Sequence, residues 1–218
     1  MKKTLLSLCL ILFCSTAGLF AHSDLQFGMN LPLFEFTGPS LMHSSALSIN
    51  INNHNYFGRN GTIGFSEYVS FTPFTADLFS PFLGFNVSAF IGPSFRIPAS
   101  SSTEFLLSAG FKYFLNYRGQ TEEYKLDSTS EKPDFKVNRT KIFQAYALSF
   151  DLQTKFSANR KCSFVMGLPF SVGIGSEDYK ESVITKKASD HYRKLSSNSG
   201  TDMYMELGLP YLMCSINF

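Results

Sequence analysis

The sequence predicts an all-β fold, in which eight antiparallel strands close into an up-and-down transmembrane β-barrel behind a cleaved N-terminal signal peptide. Three observations point to this fold. The chain opens with two lysines and an apolar stretch, which is typical of a secretory signal. Apolar residues then recur at every second position, which is the period of a β-strand. The last alternating stretch ends on the aromatic residue Phe218.

Residues 1–21 are predicted to be the signal peptide, and residues 22–218 a single barrel domain. Small residues follow the apolar stretch, so a peptidase could cut after Ala17 or after Ala21. Removal of the signal takes away two lysines and leaves 17 basic and 17 acidic residues. A chain with no net positive charge gives no reason to expect a nucleic-acid partner.

The rest of the chain offers neither a spanning helix nor a disulfide framework. No stretch after the signal approaches the roughly 18 consecutive apolar residues of a transmembrane helix. Cys162 and Cys214 are the only cysteines that remain after cleavage, which is too few for a disulfide scaffold. The fold is therefore expected to rest on backbone hydrogen bonds and packing.

Alternation defines eight strands. It is clearest from Phe105 to Tyr117, where aromatic and aliphatic residues take one parity while Ser108 and Lys112 take the other. The eight predicted strands cover residues 24–36, 46–52, 62–72, 82–91, 103–117, 140–156, 162–175 and 202–218. An even number is usual for bacterial outer-membrane barrels, and most of these strands reach the roughly nine to eleven residues that cross a bilayer.

The polar parity is predicted to fill the barrel. A sheet in hydrocarbon must close on itself to leave no unpaired edge, and eight strands enclose a space that side chains fill, so a general porin is not expected. We expect the two inward lysines to pair with acids on neighbouring strands, in a network that is structural rather than a proton or ion path. The predicted interior network consists of Glu35, Glu104, Lys112, Asp151, Lys155 and Glu206.

Two prolines mark predicted β-bulges. The apolar parity changes at Pro32, which turns Glu35 inward, and it changes again at Pro210. A bulge shifts a strand by one residue, and proline is tolerated there because a ladder hydrogen bond is already missing.

The two longest connections, residues 118–139 and 176–201, are predicted to be surface loops on the same side. Residues 118–139 contain five acidic and five basic residues, and residues 177–202 contain five of each as well. Segments of this composition are too polar to bury and are expected to be solvated.

The two remaining cysteines leave two alternatives open. If Ile174 stands opposite Met203, Cys162 comes within about one residue of Cys214, and a cross-strand disulfide becomes conceivable. Two free thiols that behave as small apolar residues are the favoured alternative.

The sequence gives no sign of catalytic or metal chemistry. The four histidines are scattered without metal-ligand spacing. His43 and His191 fall on predicted outer loops with no acid placed to orient them as a hydrolase would require. We therefore predict no enzyme, no cofactor and no metal site.

Leu212, Cys214, Ile216 and Phe218 alternate up to the last residue. This ending resembles the closing strand of bacterial outer-membrane barrels, which the barrel assembly machinery recognises. With its strand count and loop asymmetry, the chain resembles the small eight-stranded outer-membrane barrels typified by OmpX, OmpW and the OmpA membrane domain. The resemblance implies the outer membrane of a Gram-negative-type envelope, with outer-membrane lipid and the assembly machinery as partners and with room for an extracellular ligand at the outer loops.

The expected function is structural or a surface contact of the adhesin kind. One alternative is a narrow conduit for small hydrophobic molecules, as in OmpW, which would need an apolar inner channel. Another is a secreted, soluble ligand-binding barrel of lipocalin type, in which the apolar parity would face inward. The few charges on the predicted strands argue against the soluble form.

Overall fold

The computed structural model describes residues 22–30, 34–37, 42–45, 48–57, 61–77, 80–124, 135–159, 162–185, 193–207 and 211–217. The strand segments are β1 (His22–Asn30), β2 (Phe34–Thr37), β3 (Met42–Ser45), β4 (Ser48–Phe57), β5 (Ile63–Asp77), β6 (Ser80–Pro98), β7 (Thr103–Tyr124), β8 (Phe135–Ser157), β9 (Cys162–Thr185), β10 (Arg193–Leu207) and β11 (Tyr211–Asn217). All described pairings are antiparallel. The predicted signal peptide, residues 1–21, lies outside the described residues.

The segments form a closed ring with eight strand positions. At one end the order around the ring is β1, β4, β5, β6, β7, β8, β9 and β11, and the pairing of β11 with β1 closes it. At the other end β10, β2 and β3 replace β11, β1 and β4, and β3 pairs with β5. The predicted all-β, antiparallel fold with eight strands in a ring is therefore confirmed.

The ring turns its polar side inward and its apolar side outward. In β8, Ser149, Asp151 and Gln153 are at most 4% exposed, whereas Phe150 and Leu152 are 46% and 52% exposed. The same pattern continues around the ring in Phe27, Ile49, Ile51, Val69, Phe71, Ile91, Phe95, Phe105, Leu107, Phe111, Leu148, Phe164, Met166, Leu168 and Leu212, all of which are exposed. The alternation along the strands thus places polar residues inside the ring and apolar residues on its outer surface. A water-soluble protein has the reverse arrangement.

The burial pattern confirms the parity change predicted near Pro210. In β10 the buried positions Tyr204 and Glu206 are even-numbered, whereas in β11 the buried positions Tyr211 and Met213 are odd-numbered. The chain has therefore shifted by one residue between the two segments. Pro210 itself and Pro32 lie outside the described residues.

The predicted surface loops were wrong in extent, because strands occupy much of both. β7 and β8 remain paired up to Tyr124 opposite Phe135, and β9 and β10 up to Ile184 opposite Arg193. The middle parts, residues 125–134 and 186–192, lie outside the described residues. We predicted loops because these residues are highly charged. Strands can nevertheless pair through backbone hydrogen bonds without apolar side chains when both faces of the sheet are in contact with water.

Two strands on the opposite side of the ring are also longer than predicted. The second predicted strand, residues 46–52, corresponds to β4, which begins at Ser48 and continues to Phe57. β6 continues to Pro98, through most of the connection, residues 92–102, that the predicted strands left between them. Gly92 and Pro93 lie within the paired strand, opposite Ser66 and Phe65 of β5.

Close contact between β6 and β7 yields a stability prediction. A Cβ atom added to Gly110 would lie 2.3 Å from the carbonyl oxygen of Ile91, closer than any real contact. We expect Gly110→Ala to lower the free energy of unfolding by about 1–3 kcal/mol, because the backbone has to move apart. Urea titration of the detergent-folded protein, followed on gels that separate folded from unfolded forms, measures the change.

Gly200→Ala is the matched control, since nothing lies within 4 Å of the added Cβ atom at that strand position. Equal unfolding midpoints for the two variants would contradict the close contact at Gly110.

Candidate functional site

The ring interior carries a polar network, and its first tier lies near the start of β1. Lys155 of β8 donates to Asp24 of β1 across 2.7 Å. Ser215 and Gln26 donate to the same carboxylate. Asp24 is thus a fully engaged acceptor that ties three strands together.

The second tier surrounds Asp151 in the middle of β8. The Tyr211 hydroxyl and the Gln153 amide both donate to Asp151 Oδ2, the amide at 2.7 Å. Asp151 is buried, and its Oδ1 has no hydrogen-bond partner among the described residues. This carboxylate therefore keeps one free acceptor inside the ring.

The third tier is an ion pair between Lys112 of β7 and Glu206 of β10. Glu206 also accepts from the hydroxyls of Tyr204 at 2.7 Å and Ser171 at 3.2 Å. Both charged side chains are at most 4% exposed. A pair so well shielded needs these extra donors, because desolvation otherwise outweighs the attraction.

Aromatic side chains lie in the interior beyond the third tier. The ring of Tyr204 stacks on Phe114 with a centroid distance of 5.1 Å, and Phe143 packs against both. Ala145 and Ala147 complete this buried cluster. Apolar contacts thus join β7, β8 and β10 inside the ring at this level.

The predicted pairing of the lysines with neighbouring strands was wrong. β8 and β9 lie between β7 and β10, and β9 and β11 lie between β8 and β1. Lys112 and Lys155 therefore reach across the interior. The ring is narrow enough for a lysine side chain to reach a non-adjacent wall, which strand pairing alone does not reveal.

Two predicted interior residues have other surroundings. Glu104 forms an ion pair with Arg96 of β6, a residue that the sequence placed in a turn. Glu35 stands opposite Glu206 in the register of β2 and β10, and its side chain is outside the described part.

Asp24 and Tyr211 take part in the network but were missed from the sequence. Asp24 lies just after the predicted signal, where its partners 131 and 191 positions away leave no local trace. Its parity, opposite to Leu25 and Phe27, was the available signal. Tyr211 follows the parity change near Pro210, which turns its side chain inward.

A cavity of about 40 Å³ lies between the charged tiers and the opposite wall. Its charged lining residues are Lys112, Asp151 and Glu206. The neutral lining residues are Asn50, Asn52, Tyr68, Ser70, Thr72, Asn86, Ser88, Phe114, Pro169, Tyr211 and Met213.

The cysteines are free and exposed on the outer face of the ring. Met203 does stand opposite Ile174, but the one-residue shift places Cys162 opposite Ile216 and Cys214 opposite Phe164. The conceivable disulfide is therefore not formed, because the thiols are two residues out of register.

Residues of the predicted assembly signature share this outer face. Leu212, Cys214 and Ile216 are exposed on β11. Phe218 lies outside the described residues.

Four strands continue past the rest of the ring as a sheet extension, formed by residues 118–124, 135–142, 176–185 and 193–203. Arg139 in its centre donates to Glu122 at 3.0 Å and to Glu181 at 2.9 Å, linking three strands. The bond to Glu181 raises the pKa of Arg139 above its ordinary value, so the guanidinium stays charged. Among the described residues, β10 pairs only with β9 over 193–203, so its other backbone edge has no described partner strand there.

One described histidine, His54, has a serine partner, and it lies inside the ring. His54 and Ser66 share a hydrogen bond, and both side chains are 2% exposed. The side chain of His43 is not described, and His191 lies outside the described residues. Within the described chain, no group of three or more His, Cys, Asp or Glu side chains is arranged to hold a metal.

Comparison of the chain with protein-family models and with curated protein sequences found no relative. No protein-family model and no curated protein sequence matches this chain. Among the described residues, no helix has the length and apolar character to cross a membrane.

Loss of one partner from the Lys112 and Glu206 pair should destabilise the ring strongly. We expect Glu206→Gln to lower the free energy of unfolding by about 3–5 kcal/mol, because it leaves the buried ammonium without its counter-charge. The double variant Lys112→Met with Glu206→Gln should recover part of that loss. Urea titration followed by gel mobility measures the unaltered protein, Lys112→Met, Glu206→Gln and the double variant.

Lys136→Met is the control, since its partner Glu123 is 3.3 Å away and both side chains are exposed. A change of less than about 1 kcal/mol is expected there. Additive losses at Lys112 and Glu206 would show that the two side chains do not interact.

Proposed function

We propose that the chain is an integral outer-membrane protein, a transmembrane β-barrel that displays the sheet extension for contacts outside the cell. The observation that carries this proposal is the inverted polarity of the ring. Exposed apolar residues encircle it, whereas ion pairs and hydroxyl groups fill it. A lipid bilayer is the solvent that suits such an exterior.

The height of the apolar surface supports a membrane location. On β8, the outward residues from Phe156 to Tyr146 span ten residue steps and are aromatic or aliphatic except for Thr154. At about 3.3 Å per residue and a strand tilt of about 40°, this run rises roughly 25 Å, the height of the apolar band on outer-membrane barrels. Beyond Tyr146 the outward residues are Gln144, Ile142, Thr140 and Asn138, so three of the four are polar.

The surface-contact role rests on the form of the sheet extension. Its ladders order charged side chains, including the Arg139 bridge between three strands, so the partner meets a prearranged surface. The edge of β10 that has no described partner strand offers backbone hydrogen bonds to an extended segment of a partner. The mixed charge of this surface favours electrostatic contacts that weaken in salt.

The alternative functions fit the interior less well. A conduit for hydrophobic molecules would need a continuous apolar channel, whereas charged tiers cross the described interior. A soluble lipocalin-type barrel would need its apolar residues inside, and here they are exposed.

Spin labels on the outer face test the membrane location. In a background with both cysteines replaced by serine, we expect a label at Leu152→Cys to be accessible to dissolved oxygen but not to a water-soluble nickel complex. A label at Lys180→Cys, in the sheet extension, should show the reverse. Both positions are exposed, so packing does not distinguish them. Nickel access at both would contradict a barrel embedded in lipid and favour the soluble alternative.

A shortened sheet extension tests the surface role. Gly119 stands opposite Thr140, so residues 120–139 can be replaced by a two-residue turn without breaking the ring. We expect the variant to assemble and migrate as a folded barrel, while cells lose their adhesion to protein-coated surfaces down to the level of non-expressing cells. The control carries the same turn in place of residues 158–161, at the other end of the ring. Unchanged adhesion by a fully assembled variant would contradict the proposed role.

A further inference from the structure

The interior cavity has an unbalanced charge. Its charged lining residues within the described part of the chain are Lys112, Asp151 and Glu206, and together these three amount to one net negative charge. Lys112 is already ion-paired with Glu206. The excess charge therefore belongs to Asp151.

Asp151 differs in this respect from the acids of the neighbouring tiers and from Glu104. Asp24, Glu104 and Glu206 each form an ion pair with a lysine or an arginine. Within the described part of the chain, Asp151 accepts hydrogen bonds only from the neutral donors Tyr211 and Gln153, and both bind its Oδ2. The side chain is 4% exposed and lines the cavity, and its Oδ1 has no partner among the described residues.

The opposite wall supplies oxygen ligands. Ser70, Thr72 and Ser88 contribute hydroxyl groups, and Asn50 and Asn52 contribute side-chain amides. Carboxylate, hydroxyl and amide oxygens are the ligands that hard cations prefer. A volume of about 40 Å³ accommodates a few water-sized groups, since one such group needs about 10–15 Å³.

We propose that this cavity binds one small monovalent cation, such as Na⁺ or K⁺, with Asp151 Oδ1 as its anionic ligand. A single positive charge balances the net charge of the described lining residues, whereas a divalent ion would leave an excess positive charge beside them. The hydroxyl groups opposite Asp151 and trapped water complete the coordination. The site is independent of the sheet extension, so it stands whether or not the surface role holds.

Thermal unfolding at constant ionic strength tests the site. The detergent-folded protein is heated in NaCl, in KCl and in N-methyl-D-glucamine chloride, whose cation is too large for the cavity. We expect the midpoint to rise saturably with Na⁺ or K⁺, by roughly 3–6 °C at ten times the dissociation constant, relative to the large cation. Asp151→Asn, which keeps the shape and removes the charge, should abolish the rise.

The control variant is Glu104→Gln, which removes an interior acid that does not line the cavity and should keep the cation response. Crystals of the unaltered protein soaked in Tl⁺ provide a second measurement that depends on no variant. We expect anomalous density beside Asp151 Oδ1. Equal midpoints in all three salts, or absence of Tl⁺ density at Asp151, would overturn the proposal, with water or a proton then satisfying the carboxylate.

Discussion

The narrow, closed ring is the constraint on which the rest of the structure depends. Closure pairs the backbone of every strand on both sides around the ring, so the outer surface is free to be apolar. The same closure confines the inward side chains to a space with little room for water. Polar groups there must satisfy one another, and they do so across the interior, as Lys155 does with Asp24 and Lys112 with Glu206.

Strand polarity was predictable because it depends only on residue spacing. Alternation assigned Phe105 and Leu107 to one face and Ser108 to the other, and their exposure agrees. The change of parity near Pro210 was predictable for the same reason. Asp151, Lys112 and Glu206 were recognised as interior residues because a charge on the small-residue face has no other place to go.

Partners across the interior were not predictable, because they depend on the circumference and the register of the whole ring. Lys112 and Glu206 are 94 positions apart, and nothing local links them.

Strand ends were missed for a different reason. Charge along residues 118–124 resembled a loop, but cross-strand partners such as Glu122 and Arg139 stabilise a paired ladder in water.

The carboxylates of the polar network differ in whether they have a charged partner among the described residues. An ion pair has little net charge at a distance, so Lys155 with Asp24 and Lys112 with Glu206 contribute mainly local attraction. Asp151, between them, accepts hydrogen bonds from the neutral groups of Tyr211 and Gln153 and has no ion-pair partner among the described residues. The ion pairs hold the walls together, and this carboxylate then determines which charge the remaining space favours.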